Sequence, residues 1–240
     1  MWQLATSAMS PLDRIQAFEN LPPEALLRLE RGSSPVEPRN GAEIFAQGDA
    51  AEAVYAIVGG EGAIRIGAID RRSKRLMVEV FGLGDIFGEI GVIDMGTRTA
   101  AAVADGRVRM LRIGAATFMT VLNETPQLGV NLTRILARRL RRTFSLFQDA
   151  TFETLEVRLA RQLLYLAAIH GRRTEGRVIL ADRLKQPDLA DLLGATTRSI
   201  ITILNAWKAD GLVLYNAERA QVTICDEARL TALVKVNDGS

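Results

Sequence analysis

Phe87-Gly88-Glu89-Ile90-Gly91-Val92-Ile93-Asp94-Met95-Gly96-Thr97-Arg98-Thr99-Ala100-Ala101 is the stretch around which the chain is organised. A glycine and an acid precede a short apolar turn, and nine residues after the acid come an arginine and a hydroxyl. Arg98 beside Thr99 suits a phosphate, because a planar donor fork stands next to a short O–H donor. Glu89 suits sugar hydroxyls, since an ionised carboxylate only accepts and a hydroxyl can donate to it. Gly88 lets the backbone approach a ligand closely. Together these residues ask for one object that carries both a phosphate and a ribose.

The surrounding pattern places this stretch late in a β region. From Val36 to Ile113 short apolar runs alternate with Gly and Asp punctuation, as in Val54-Tyr55-Ala56-Ile57-Val58 and Leu76-Met77-Val78-Glu79-Val80-Phe81. Further strands are predicted over 99–103 and 108–113, with Asp70-Arg71-Arg72-Ser73-Lys74 as a hairpin tip. Short strands at such regular spacing predict an antiparallel sandwich, roll or barrel. Residues 10–31 read as short helices that pack one face on it.

Beyond Thr125-Pro126 a long helix is predicted from Leu128. Leu132, Leu136, Leu140, Thr143, Phe147 and Ala150 follow one another at spacings of 4, 4, 3, 4 and 3, the 3.5-residue repeat of a coiled coil. Its other faces carry Arg134, Arg138, Arg139, Arg141 and Arg142, so self-association is expected rather than burial in a monomer. Thr143 is a hydroxyl in an otherwise apolar seam and needs a partner. Thr154 is a good N-cap for a helix from Leu155 to His170, which makes 149–154 a hinge.

Arg177-Val178-Ile179-Leu180 is a predicted strand. One helix then starts at Pro187 and ends at Gly194, and Thr196 caps a second with Ile200, Ile203, Leu204 and Trp207 on one face. Two short helices joined by a glycine turn form a helix-turn-helix. The runs Gly211–Tyr215 and Ala220–Ile224 add a wing. Charge agrees. Residues 1–133 hold 13 basic and 16 acidic side chains (−3), and 134–240 hold the remaining 17 and 12 (+5). A basic back half suits a polyanion.

One cysteine, Cys225, excludes an intramolecular disulfide framework, and with a single histidine, His170, a metal, haem or iron–sulfur site is not expected. No apolar run approaches about 18 residues, so a cytoplasmic protein without membrane contact is expected. No nucleophile–base pair or phosphate-binding loop of an enzyme is present.

These parts resemble the Crp/Fnr superfamily of bacterial transcription regulators, from about Leu12 to Ile224. Gly88-Glu89-Ile90-Gly91-Val92 followed by Arg98-Thr99-Ala100 is similar to the phosphate-binding cassette of cyclic-nucleotide-binding domains. The resemblance implies that Glu89 holds the ribose 2′-hydroxyl and that Arg98 and Thr99 hold the cyclic phosphate, with Gly88 and Ile90 lining the site. Ala137-Arg138-Arg139-Leu140 before Arg141-Arg142-Thr143 resembles the dimer helix of the cAMP receptor branch. It implies an adenine contact at Thr143 and an arginine leaning to the nucleotide at Arg139. Phe144 stands where that branch has a serine, so cAMP and cGMP both stay open.

In the DNA-reading helix the family's guanine-reading positions fall on Thr197, Arg198 and Thr202. Only Arg198 can still make a bidentate guanine contact, so a different base sequence is implied. Thr196 and Ser199 flank these positions, and Lys185, Gln186 and Arg219 read as phosphate contacts. The expectation is an α+β chain: a β-roll sensor over 1–127, a dimer helix and hinge over 128–153, and a winged helix-turn-helix over 154–240. The implied partners are a two-fold symmetric DNA operator, a second copy of the chain and RNA polymerase. Two alternatives are a regulator active without ligand, and a nucleotide-binding module that controls a protein partner.

Overall fold

The computed structural model describes residues 10–69, 75–180 and 184–237. The expected hairpin tip at Asp70–Lys74 lies outside them. The chain forms two compact units. One takes the residues up to Ile64 together with Phe81–Arg139, and the other takes Arg65–Val80 and the chain from Leu140 onward.

In the first unit, Ser10 accepts a hydrogen bond from the Leu12 amide and opens a 3-10 turn, Pro11–Arg14. A second turn at Gln16–Phe18 leads to α1 (Pro23–Arg31), which starts on a proline and buries Ala25 and Leu29. Then follow β1 (Ser33–Val36), β2 (Glu43–Phe45), β3 (Ala53–Gly60), β4 (Ala63–Ile69), β5 (Arg75–Phe81) and β6 (Ile86–Phe87), of which β4 from Arg65 onward and β5 as far as Val80 are counted with the second unit. After α2 (Glu89–Ile93) come β7 (Ala101–Asp105), β8 (Val108–Gly114), α3 (Ala115–Glu124) and α4 (Pro126–Phe152). The strands form two four-stranded sheets, β1-β8-β3-β6 and β2-β7-β4-β5. Gly60, at φ +102°, allows β3 to turn against β8: a Cβ there would stand 2.1 Å from the Arg107 carbonyl oxygen. The predicted strand at 99–103 begins two residues later, because 97–100 is a loop strapped to residues 48–50.

Leu12, Ile15, Phe18, Leu29, Val54, Ile86, Ile113 and Phe118 form the core of this unit, and Leu128, Leu132 and Ile135 of α4 complete it. This corrects the predicted seam. Leu132 is only 3% exposed, so the early leucines of α4 are spent inside the unit. The exposed apolar row on α4 runs instead through Leu140, Phe144 and Phe147, at 56%, 61% and 71% exposure. Its spacing of 4 and 3 is still that of a coiled-coil face, and Thr143 beside Phe144 is exposed as well.

In the second unit α5 (Leu155–His170) is capped as expected, with the Thr154 hydroxyl accepting from the Val157 amide. β9 (Gly171–Thr174), β10 (Arg177–Leu180), α6 (Gln186–Leu193), α7 (Thr197–Ala209), β11 (Val213–Asn216), β12 (Gln221–Ile224) and α8 (Glu227–Asn237) follow. The sheet order is β11-β12-β10-β9. β9 and α8 were not predicted. Gly171-Arg172-Arg173-Thr174 has no apolar alternation and is extended because β10 supplies its ladder. α8 has a weak pattern, but the Asp226 carboxylate accepts from the Arg229 amide and Leu230 is fully buried. The core joins Leu159, Leu163, Val178, Leu189, Ile200, Leu204, Trp207 and Val222.

Candidate functional site

The first candidate site is built where β6 runs into α2. Gly88 has φ +77°, which the left-handed region grants cheaply only to glycine, and a Cβ there would lie 2.7 Å from Arg98 Nη1. This conformation turns Glu89 inward, and it is 1% exposed. The loop carrying Arg98 is fixed by its own backbone: the Arg98 amide donates to the Asp49 carbonyl at 2.8 Å, and the Gly48 amide donates to the Arg98 carbonyl at 2.9 Å.

Arg98 is 4% exposed. Its Nη1 donates to the Gly88 carbonyl at 2.6 Å and its Nη2 to the Ala53 carbonyl at 2.8 Å. Its guanidinium lies 4.1 Å from the centroid of the Phe45 ring. Nε is buried with no hydrogen-bond partner, and among the described residues no carboxylate is in ion-pair range. Burial lowers the Arg98 pKa from its ordinary value. A buried cation with an orphaned donor and, among the described residues, no carboxylate in ion-pair range is what a bound anion would complete.

Arg139 of α4 reaches the same place. Its Nη1 donates to Glu89 Oε1 at 2.6 Å and its Nη2 to the Ile86 carbonyl at 2.8 Å. Its guanidinium lies 4.3 Å over the Phe81 ring. Between the two arginines runs a stack of aromatic rings: Tyr55 on Phe87 at 5.1 Å, with Phe45 and Phe81 at 6.0 and 6.2 Å from Phe87. Sequence reasoning missed these four rings. Their only signal is the placing of aromatics on strands next to the glycine–acid pair.

The structure therefore brings Gly88, Glu89, Arg98 and Arg139 together. Thr99 is exposed beside Arg98, and Ile90 is 41% exposed on α2. Thr143 and Phe144 belong to the second unit, both on exposed α4 surface.

The second candidate site is the α6–α7 pair. Gly194, at φ +60°, makes the turn between the helices. Ile200, Leu204 and Trp207 are buried, and Trp207 Nε1 donates to Glu156 Oε1 at 2.9 Å, tying α7 to α5. Arg198 and Thr202 are left exposed, with Thr197 and Ser199 half-buried. The Thr202 hydroxyl donates to the Arg198 carbonyl at 3.0 Å. Thr196 accepts from the Ser199 amide at 3.2 Å, and the two hydroxyls share a hydrogen bond at 2.8 Å. Thr196 and Ser199 thus act first as the cap of α7. Lys185 is exposed at the start of α6, where its amide donates to Asp188 Oδ2 at 3.0 Å, and Gln186 follows half-buried. Arg219 is exposed at the β11–β12 turn.

A buried arginine–acid cluster suited to a phosphate-bearing ligand together with a winged helix-turn-helix defines a ligand-binding DNA-binding regulator. Residues 35–125 match the cyclic nucleotide-binding domain family, and residues 157–233 match the Crp-like helix-turn-helix domain family. The CRP-like cAMP-activated global transcriptional regulator of Mycobacterium tuberculosis is 30% identical over 219 residues, covering 91% of this chain and 96% of that protein. The cyclic AMP receptor protein of Thermus thermophilus is 28% identical over 197 residues, covering 82% and 87%. The structure of FixK2 from Bradyrhizobium japonicum shares the fold, with a TM-score of 0.72 at 22% identity over 84% of this chain and 96% of its own. The chain belongs to the Crp/Fnr family: it is a cyclic-nucleotide-binding, DNA-binding transcription regulator. Among the described residues, no helix is long and apolar enough to cross a membrane, and no group of His, Cys, Asp and Glu has the makings of a metal site.

Proposed function

We propose that the protein is a homodimeric regulator switched by a cyclic nucleotide, with cAMP as the ligand. The observation that carries this reading is Arg98, a buried guanidinium whose Nε–H has no hydrogen-bond partner among the described residues. The cyclic phosphate sits on Arg98 and Thr99, and the ribose 2′-hydroxyl donates to Glu89. Thr143, one helical turn beyond Arg139 on α4, takes the adenine edge, while Phe144 belongs to the contact between copies. cGMP is the competing ligand, which Thr143 alone discriminates against.

Glu89 already accepts from Arg139 at 2.6 Å through Oε1, so a ribose hydroxyl that donates to the same carboxylate is linked to Arg139. Ligand binding therefore reaches α4 through Arg139. To move a population from 1:99 to 99:1, the ligand must prefer the active state about 10⁴-fold. An arginine–phosphate pair, a ribose contact and a newly made base contact together are of that order. The exposed row Leu140, Phe144 and Phe147 pairs with its copy, and the paired recognition helices meet two half-sites about one DNA turn apart. The DNA-bound dimer acts on RNA polymerase.

Calorimetric titration with cAMP and with cGMP tests this, alongside DNA binding by fluorescence anisotropy. Wild type takes up cAMP and tightens on DNA, whereas Arg98→Ala stays folded and loses both responses. A second reading is a dimer active on its own, in which the Glu89–Arg139 pair already ties α4 to α2. Absence of heat with either nucleotide, combined with tight DNA binding, selects that second reading.

A further inference from the structure

Resting on the DNA-binding reading of α7, we propose that Asn205 is a second base-reading residue, and that it reads adenine about three base pairs from the pair read by Arg198. On α7 the buried side is Ile200, Leu204 and Trp207. At about 100° per residue, Arg198 and Asn205 lie within about 20° of one another around the axis, on the side opposite those three. Both are exposed, and among the described residues neither side chain makes a hydrogen bond or ion pair.

Folding does not ask for an asparagine there. At an exposed mid-helix position Asn is a weaker helix former than Ala, because its amide competes for backbone groups. It also caps nothing, since Thr196 caps α7 and the helix runs on to Ala209. Its amide offers one acceptor and a donor pair, which match the adenine N6–H₂ donor and N7 acceptor in the major groove.

Seven residues advance a helix by about 10 Å. That is about three steps of the 3.4 Å base repeat along a groove. Between the two, the Thr202 hydroxyl donates to the Arg198 carbonyl, which leaves its methyl for a thymine and its oxygen as an acceptor. Each half-site should then contain a G·C pair and an A·T pair about three steps apart.

Selection from a randomised duplex pool tests this with the full-length protein, with saturating cAMP and without nucleotide. Wild type should enrich a guanine column and an adenine column two to four steps apart. Asn205→Ala should flatten only the adenine column, lowering discrimination there by roughly tenfold to a hundredfold. Arg198→Ala should flatten only the guanine column. The inference is overturned if Asn205→Ala leaves the adenine column intact or weakens all sequences equally, as loss of a phosphate contact would. If wild type enriches no sequence under either condition, the reading of α7 as a base-reading helix fails and this inference falls with it. Should Arg198→Ala change a column and Asn205→Ala none, only the role of Asn205 is lost. Alanine is the better helix former, so the variant's melting temperature should match wild type and separate misfolding from lost readout.

Discussion

The Glu89–Arg139 pair is open to a double-mutant cycle. The Glu89 side chain is 2% exposed and that of Arg139 is 21%. Removing one partner of a buried pair costs about 3–5 kcal/mol, because the other charge is left uncompensated. Arg139 is one-fifth exposed, so water can reach the vacated place, and about 2–3 kcal/mol is the better figure. Arg139→Met also leaves the Ile86 carbonyl without its donor, for about 1 kcal/mol more. The thioether can resume the contact with Phe81, so that part is counted as zero. The single variant should therefore lose about 3–4 kcal/mol. Glu89→Gln keeps an acceptor for Arg139 and should lose about 1 kcal/mol. The double variant contains no stranded charge. It loses the Ile86 hydrogen bond and leaves one amide unpaired, about 2 kcal/mol together. The coupling energy is then about 2–3 kcal/mol. Native-state hydrogen exchange at the β3 and β8 amides reads the opening of the first unit alone. A coupling below about 0.5 kcal/mol would refute the claim that Glu89 relies on Arg139 for its counter-charge.

Two further predictions concern the second unit. Asp149 is 5% exposed, and Arg161 bonds both Asp149 and, at 3.4 Å, Glu153. Burial raises the Asp149 pKa more than Arg161 lowers it, so the ionised form costs stability as pH rises through the unfolded and then the folded pKa. Arg161→Ala should lose about 2–3 kcal/mol at neutral pH, and the loss should shrink as pH falls, because the stranded acid, raised further without Arg161, takes up a proton. A loss that is flat with pH in chemical denaturation would contradict this. Phe144→Glu should break the association of copies. Burying a phenylalanine contributes about 1.5–3 kcal/mol, twice over in a two-fold contact, so the dissociation constant should rise at least a hundredfold, by about 3 kcal/mol or more. Sedimentation velocity checks this, and an unchanged dimer would move the contact elsewhere.

Much of the chain was decided by local chemistry and is legible without coordinates. Period-2 apolar runs punctuated by glycine made the roll, and a proline, a glycine turn and a threonine cap made the helix-turn-helix. Gly88, Glu89, Arg98 and Thr99 are legible because a phosphate and a ribose need those donors and acceptors within one short segment. Three features are not local. The phase of the exposed row on α4 depends on which leucines the first unit consumes, and Leu132 and Ile135 are taken into its core while Phe144 is left outside. β9 is extended only because β10 lies beside it. The pairing of Glu89 with Arg139, fifty residues apart, and the ring stack beneath the two arginines depend on strands and a helix converging from distant parts of the chain. Periodicity reports which side of an element is apolar, but which partner covers that side is a property of the whole fold.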